Sequence, residues 1–356
     1  MYIHNLRTIL FRRIAISFVG LLVLLISVTS ALAAYNPADI PRDIISKSSN
    51  TDINGSASSN SVSGSTPVGS GAAVPTRLAI INFDDGYKSQ FTNAKPILDI
   101  YGFKASFFIV CNFVGKSAKQ MNSSSIVNFA GRGVEQMTWN DIITLYKQGY
   151  QIGAHTMKHL RNMTNMPNTE LNYEIGRSKQ CIVDHGIPIT TFAYPFENGK
   201  DNATIVSKVS QYYSYARSGN YPLMFLHCDH FRKNTHQTDC RTYLPNGKIS
   251  YANRYSIVGW SHDYDRIAYF YNDKQMLSRF IQVVSGQDKY NIPGQSVDAI
   301  PIVVYHRIDN SRAPYSTTVS LFTQEMKYLH DNGFKVINMA DLAYNNTTNS
   351  FYLKNQ

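Results

Sequence analysis

Acidic side chains are scarce in this 356-residue chain, where 24 Asp and Glu stand against 34 Lys and Arg and the formal charge is +10. The basic residues are nonetheless scattered, with no run of the kind that makes a nucleic-acid arm, so no nucleic-acid partner is expected. A modest basic surface suits an acidic envelope or polymer outside the cell, or no partner at all. Cysteine is limited to four residues. No internal repeat is found, which excludes a stacked-repeat architecture. Large apolar side chains are almost missing from residues 46–75, a Ser, Gly, Asn, Thr and Ala stretch that cannot bury enough surface to order itself. It reads as a flexible linker. With 43% hydrophobic and 12% aromatic residues the chain as a whole can build a sizeable core, which excludes wholesale disorder. Its length allows one large α/β domain or two small ones.

At the N-terminus, Arg7, Arg12 and Arg13 precede an uncharged run from Ile14 to Ala34 that contains Ala31-Leu32-Ala33. A basic head, an apolar stretch and small residues at the cleavage point make a secretory signal. At roughly 21 residues the run is also long enough to span a bilayer, so membrane attachment through residues 14–34 is the second reading. Both readings put the following domain outside, because the arginines stay on the cytoplasmic side. No cysteine follows the run, which argues against a lipoprotein anchor. Loss of the three leader arginines takes the formal charge from +10 to +7. The expected layout is a signal peptide or anchor at 1–33, a linker at 34–75, a catalytic domain at 76–344 and a C-terminal tail at 345–356, in an extracellular or cell-surface protein.

Two short stretches carry the chemistry. Leu78-Ala79-Ile80-Ile81 leads through Asn82 and Phe83 into Asp84-Asp85-Gly86, and His155-Thr156-Met157-Lys158-His159 offers two imidazoles four residues apart. Alone, a strand-end Asp-Asp-Gly is more often a turn, and a lone His-x-x-x-His is more often two surface or packing histidines. In combination they supply Asp85, His155 and His159 as ligands for one divalent metal ion, zinc being first choice. Asp84 is then a spare carboxylate, placed to take a proton from water beside the metal. Both motifs follow strand-like segments, where catalytic groups of βα proteins gather.

These motifs resemble those of the polysaccharide deacetylases, the NodB homology domain of carbohydrate esterase family 4. The resemblance extends over about residues 76–344. It implies that Asp84 is the general base, that Asp85, His155 and His159 bind the metal, and that His306 is the general acid, at the end of Ala299-Ile300-Pro301-Ile302-Val303-Val304-Tyr305-His306. The family's Arg-x-Pro-Tyr motif stands here as Ala193-Tyr194-Pro195-Phe196, so the arginine that steadies the base is missing from its place. Arg217, at the end of the next strand-like run, could take over that role. Tyr194, Pro195 and Phe196 would line the substrate and the oxyanion, with a backbone N–H near Phe196 as donor. The family's Asp-then-Trp motif has only weak counterparts in Trp260 and Asp263.

An exported chain allows disulfides. Cys228 and Cys240, bracketing a short polar insertion, are the expected pair, and Cys111 and Cys181 are expected to be buried thiols. The histidines His227, His230 and His236 near that insertion fit no standard zinc spacing. Sequons at Asn54, Asn122, Asn162, Asn202, Asn345 and Asn346 permit glycosylation.

Strand-like and helix-like stretches alternate. Strands are expected at 77–83, 105–110, 150–154, 190–194, 214–217, 255–260, 299–305 and 335–338. Helices are expected near 88–101, from an N-cap at Thr138 toward Gln148, and near 169–185, 203–212, 273–285 and 320–332. This pattern predicts an α/β fold, a distorted and incomplete parallel (β/α) barrel, as the resemblance also implies. The function expected is removal of N-acetyl groups from an acetylated polysaccharide or glycan containing N-acetylhexosamine. The alternatives are an inactive carbohydrate-binding or envelope-structural relative, which the missing arginine favours, and hydrolysis of another C–N or ester bond on the same fold.

Overall fold

The computed structural model describes residues 77–123, 133–219, 221–226, 254–292, 297–347 and 350–354. The leader, the linker and Cys228 and Cys240 lie outside them. Among the described residues no helix is long and apolar enough to cross a membrane.

The frame is a curled, mostly parallel sheet. Strands β1 (Leu78–Phe83), β2 (Ser106–Ile109), β3 (Gln151–Ala154), β4 (Thr191–Ala193) and β5 (Tyr215–Arg217) pair in succession, all parallel. They are buried throughout, as strands covered on both faces must be. After β6 (Leu223–Phe225) and β7 (Trp260–Ser261), β8 (Ala299–Tyr305) pairs with the free side of β1, setting Ile80 opposite Ile302. Both central strands change neighbours midway. β1 pairs first with β11 (Lys335–Ile337) and then with β2, while β8 pairs first with antiparallel β6 and then with β7. Among the described residues the ring closes through the stretch leading into β7, where Ile257 bridges Arg217. This is the distorted (β/α) barrel that the alternation predicts.

Period-two alternation sorts the side chains into two cores. Ala79, Ile81 and Phe83 pack with Ile142, Phe280 and Phe322 under the helices, whereas Leu78 and Ile80 meet Phe108, Ile300, Ile302 and Val304 in the barrel interior. Asp84, His155, Arg217 and His306 continue the inward-facing rows of β1, β3, β5 and β8. That parity is why residues far apart in sequence converge.

Several expected helices form where the pattern places them, including Ala203–Tyr212, Asp273–Ser285 and Val319–Asp331. Thr138 caps Trp139–Lys147 in a reciprocal capping box with Asp141. The run expected at 169–185 is helical but contains a π-helical turn at Asn172–Arg177. Other elements escaped the sequence reading: β6, the helix His262–Tyr269, the short pair β9 (Arg307–Ile308) and β10 (Ser316–Thr317), and a C-terminal hairpin. That hairpin joins β12 (Leu342–Asn345) to β13 (Ser350–Leu353) and buries Phe351. The boundary expected at 344 therefore falls inside β12.

Cys111 and Cys181 are not thiols. They form a disulfide across 70 residues of sequence, with Cα atoms 6.5 Å apart. The end of β2 and the helix Ser178–Val183 meet only in the folded chain, so spacing alone could not pair them.

Candidate metal and acid–base site

The two carboxylates that end β1 point to different partners because the backbone turns between them. Asp85 (φ 74°) and Gly86 (φ 81°) both lie in the left-handed region, which costs a non-glycine residue roughly 1–3 kcal/mol. Asp84 accepts from Arg217 Nη2 at both oxygens, at 2.5 and 2.6 Å. Arg217 is itself buried beside Gly259, where an added Cβ would sit 3.3 Å from Arg217 Cδ. With its amide oriented to suit the network, Asn82 accepts from Arg217 Nε at 3.3 Å. Burial works against an ionised Asp84, yet Arg217, His155 and His306 hold its pKa below the ordinary carboxylate range.

Asp85 faces the histidine loop. Its Oδ1 lies 3.1 Å from His159 Nε2 and 3.6 Å from His155 Nε2. Both Asp85 oxygens are buried without a hydrogen bond of ordinary geometry, a state expensive for a carboxylate unless a cation completes it. His155 Nδ1 lies 2.8 Å from the Ala193 carbonyl, so it carries the proton and leaves the Nε2 lone pair toward Asp85. Burial drives the pKa of His155 down to about 4 and that of His159 to about 3, keeping both imidazoles neutral and able to ligate. Donor atoms of Asp85, His155 and His159 all lie within 4.8 Å of one another. Two imidazoles and an unsatisfied carboxylate fit a divalent metal ion.

The histidine loop is strained and braced. Thr156 (φ 65°) and His159 (φ 57°) are left-handed. Thr156 Oγ1 accepts from His159 N at 2.9 Å, and the fully buried Glu174 accepts from Met157 N at 3.1 Å and Lys158 N at 2.9 Å. The Cys111–Cys181 bridge sits against the same loop, since Asn112 N donates to the Met157 carbonyl at 2.9 Å.

Across the rim, β8 delivers His306. Asp263 Oδ2 accepts from the His306 backbone N at 2.7 Å and lies 3.2 Å from its Nδ1. Although burial favours the neutral ring, the Asp263 hydrogen bond and the Asp85, Asp263 and Asp84 charges raise His306 to about 9. Gln90 ties the two strand ends together, its Nε2 donating to the Asp84 carbonyl at 2.5 Å and to the His306 carbonyl at 2.9 Å.

Tyr194, Pro195 and Phe196 follow β4 beside the histidines. Phe196 (φ 53°) sets its ring 4.5 Å from that of His159, with the Arg161 guanidinium 4.0 Å above its face. Tyr194 is buried and its hydroxyl has no hydrogen bond. Trp260 belongs to the wall, its Nε1 donating to Asp265 at 2.9 Å. Asp263, only a weak candidate by sequence, is the partner of His306. Sequence reasoning missed Glu174, Gln90, His262 and Glu325. The available signal was a glutamate on the buried stripe of an amphipathic helix, as in Leu321, Phe322, Glu325, Met326 and Leu329.

The polysaccharide deacetylase family model matches residues 71–214. The matched stretch holds Asp84, Asp85, His155, His159 and Tyr194–Phe196. A gellan lyase from Bacillus sp is 24% identical over 138 residues, covering 38% of this chain and 4% of the lyase. The chain thus spans a small fraction of that curated relative's length. Among solved structures, the family 4 carbohydrate esterase from Streptomyces lividans is similar at 12% identity and a TM-score of 0.43, over 79% of this chain and 99% of that one. A peptidoglycan deacetylase from Bacillus subtilis is similar at 14% identity and a TM-score of 0.41, over 74% of this chain and 88% of that one.

Proposed function

We propose that this protein is an exported, metal-dependent hydrolase that removes N-acetyl groups from an N-acetylhexosamine-containing polysaccharide, with zinc the preferred ion. The observation that carries the proposal is the convergence at one barrel rim of three groups with separate tasks. These are an ionised Asp84 held by Arg217, the Asp85–His155–His159 donor set, and His306 backed by Asp263. When bound, the ion supplies Lewis-acid polarisation of the acetamide carbonyl. Asp84 takes the proton of the attacking water, and Arg217 fixes both its charge and its direction. The Phe196 backbone N–H, in the turn at Pro195–Glu197, would serve as donor to the developing oxyanion. His306 then protonates the departing sugar nitrogen, and Asp263 holds that ring in register. Arg217 holds Asp84 at both oxygens, the task of the motif arginine missing at Ala193, and this supports an active enzyme over an inactive relative. Export is supported by the N-terminal basic and apolar pattern and by the Cys111–Cys181 disulfide.

The acid role of His306 makes a test. An aryl alkoxide leaves without a proton, whereas a sugar amine cannot. His306→Ala should therefore suppress hydrolysis of an N-acetylglucosamine oligomer by ~10²–10⁴-fold, with a much smaller effect on 4-nitrophenyl acetate and none on metal content. Equal losses on both substrates, with fold and metal intact, would remove His306 from that role.

A further inference from the structure

Behind His306 and its partner Asp263 the structure holds polar groups that the proposed mechanism does not use. His262 and Asp263 open the helix His262–Tyr269, Thr317 lies in β10, and Glu325 reaches in from the helix Val319–Asp331. All four are fully buried. His262 Nε2 lies 2.7 Å from Glu325 Oε1, and Glu325 Oε2 accepts from the Tyr305 hydroxyl at 2.8 Å. His262 Nδ1 lies 3.2 Å from Asp263 Oδ1 and 3.1 Å from Thr317 Oγ1, while Thr317 donates its one hydroxyl proton to Asp263 Oδ1.

These contacts fix a proton position. With the Thr317 proton committed to Asp263, an unprotonated His262 Nδ1 would face two oxygen lone pairs at hydrogen-bond distance in a fully buried site. Only Nδ1–H satisfies both contacts. Glu325 reinforces the assignment, since its carboxylate accepts from Nε2–H and balances a doubly protonated ring between two buried acids. Although burial opposes it, Glu325 and Asp263 raise His262 to about 9.

We propose that His262 is a positioning residue for the general acid: anchored by Glu325, it donates Nδ1–H to Asp263 Oδ1 and so leaves Oδ2 aimed at His306. This deepens the proposed deacetylase reading and rests on it for the role of His306. Without His262 the Oδ1 of Asp263 keeps only the rotatable Thr317 hydroxyl, so the carboxylate can turn, and a displacement of about 1 Å at the acid costs on the order of 10²-fold in rate. The relay thus runs Glu325, His262, Asp263, His306, with only the last side chain reaching the rim.

Two substitutions separate this role from plain packing. Asparagine at 262 carries an N–H near the place of Nδ1, whereas glutamine carries one near Nε2. In the zinc-loaded protein, His262→Gln should lose about 100-fold in kcat on an N-acetylglucosamine oligomer and less than about tenfold on 4-nitrophenyl acetate, with KM and zinc content little changed. His262→Asn should restore most of the amide activity. Equal losses in the two variants, or a loss in His262→Gln shared by amide and ester alike, overturn the proposal. Nitrogen-15 NMR of the wild-type imidazoles reads the proton directly, whether or not the variants fold. His262 Nδ1 should be protonated at pH 7, and an unprotonated Nδ1 overturns the proposal. A wild type inert on every acetamide tested would sink the deacetylase reading, while the NMR result would still decide the His262 hydrogen bond.

Discussion

Replacing Arg217 by methionine keeps the bulk of the side chain but strands the Asp84 carboxylate inside the barrel. The pair is buried on both sides, with side-chain exposures of 4% and 7% and a shortest contact of 2.5 Å. Removing one partner of such a pair costs about 3–5 kcal/mol, because the remaining charge has lost its solvent and its counterion. For a domain of this size each kcal/mol moves Tm by about 2–4 °C, giving a fall of roughly 6–20 °C at pH 7. The sign of the pH dependence follows from Asp84, whose folded pKa lies below its ordinary value. Its contribution is present above that ordinary value and is lost as pH falls through the folded one. In Arg217→Met the folded pKa rises, so the melting deficit should shrink from pH 7 toward pH 4 as Asp84 takes up a proton. The acid limb of the pH–rate profile should move to higher pH by the same cause. Metal content should not change, since Arg217 touches none of the three ligands. Adding Asp84→Asn to Arg217→Met should recover part of the lost stability. A variant that melts within a degree or two of wild type at pH 7, with an unmoved acid limb, would refute the reasoning.

Three further outcomes are expected. Glu174→Leu orphans the amides of Met157 and Lys158 and should weaken zinc affinity by about 10–100-fold, measured by competition with a chromophoric chelator; unchanged affinity would deny Glu174 its bracing role. Opening the Cys111–Cys181 bridge, which spans 70 residues, should remove about 4 kcal/mol of stability in the chain-entropy account, read as an equal drop in urea melts of reduced protein and of a Cys111→Ala/Cys181→Ala variant. The metal-free protein should lose stability as pH falls from 6.5 toward about 4, because burial depresses His155 to that value and acid must charge it. A flat profile over that window would contradict the buried neutral imidazole.

The sequence made the strands and the front of the site legible, because both are written locally. An apolar run ending in Asp84-Asp85-Gly86 announces β1 and its rim, and Ala299–Tyr305 forms a strand over the expected residues. Thr138 and Asp141 place a helix start through side-chain geometry confined to four residues. What stayed hidden depends on distant pairing. The two-residue strands have no period to detect, and β6 is defined only by its antiparallel partner. The bridge between Cys111 and Cys181 joins elements that sequence spacing does not relate. Glu174 and Glu325 look like ordinary helix residues until their burial is known. A charged residue on an otherwise apolar helix face was the one local hint, and it marks a group whose partner lies elsewhere in the chain. Arg217 shows the opposite case. Its contact with Asp84 could be anticipated because the motif position at Ala193 lacks a guanidinium and the next strand ends in one.

The central claim is tested most directly by measuring acetate release from N-acetylglucosamine oligomers by the protein stripped of metal and then titrated with zinc. Activity should rise with zinc and saturate near one ion per chain, stay absent in His155→Ala/His159→Ala, and fail in Asp84→Asn despite retained zinc. Zinc bound at full stoichiometry in the double histidine variant, or acetate released at the same rate without metal, would contradict the account.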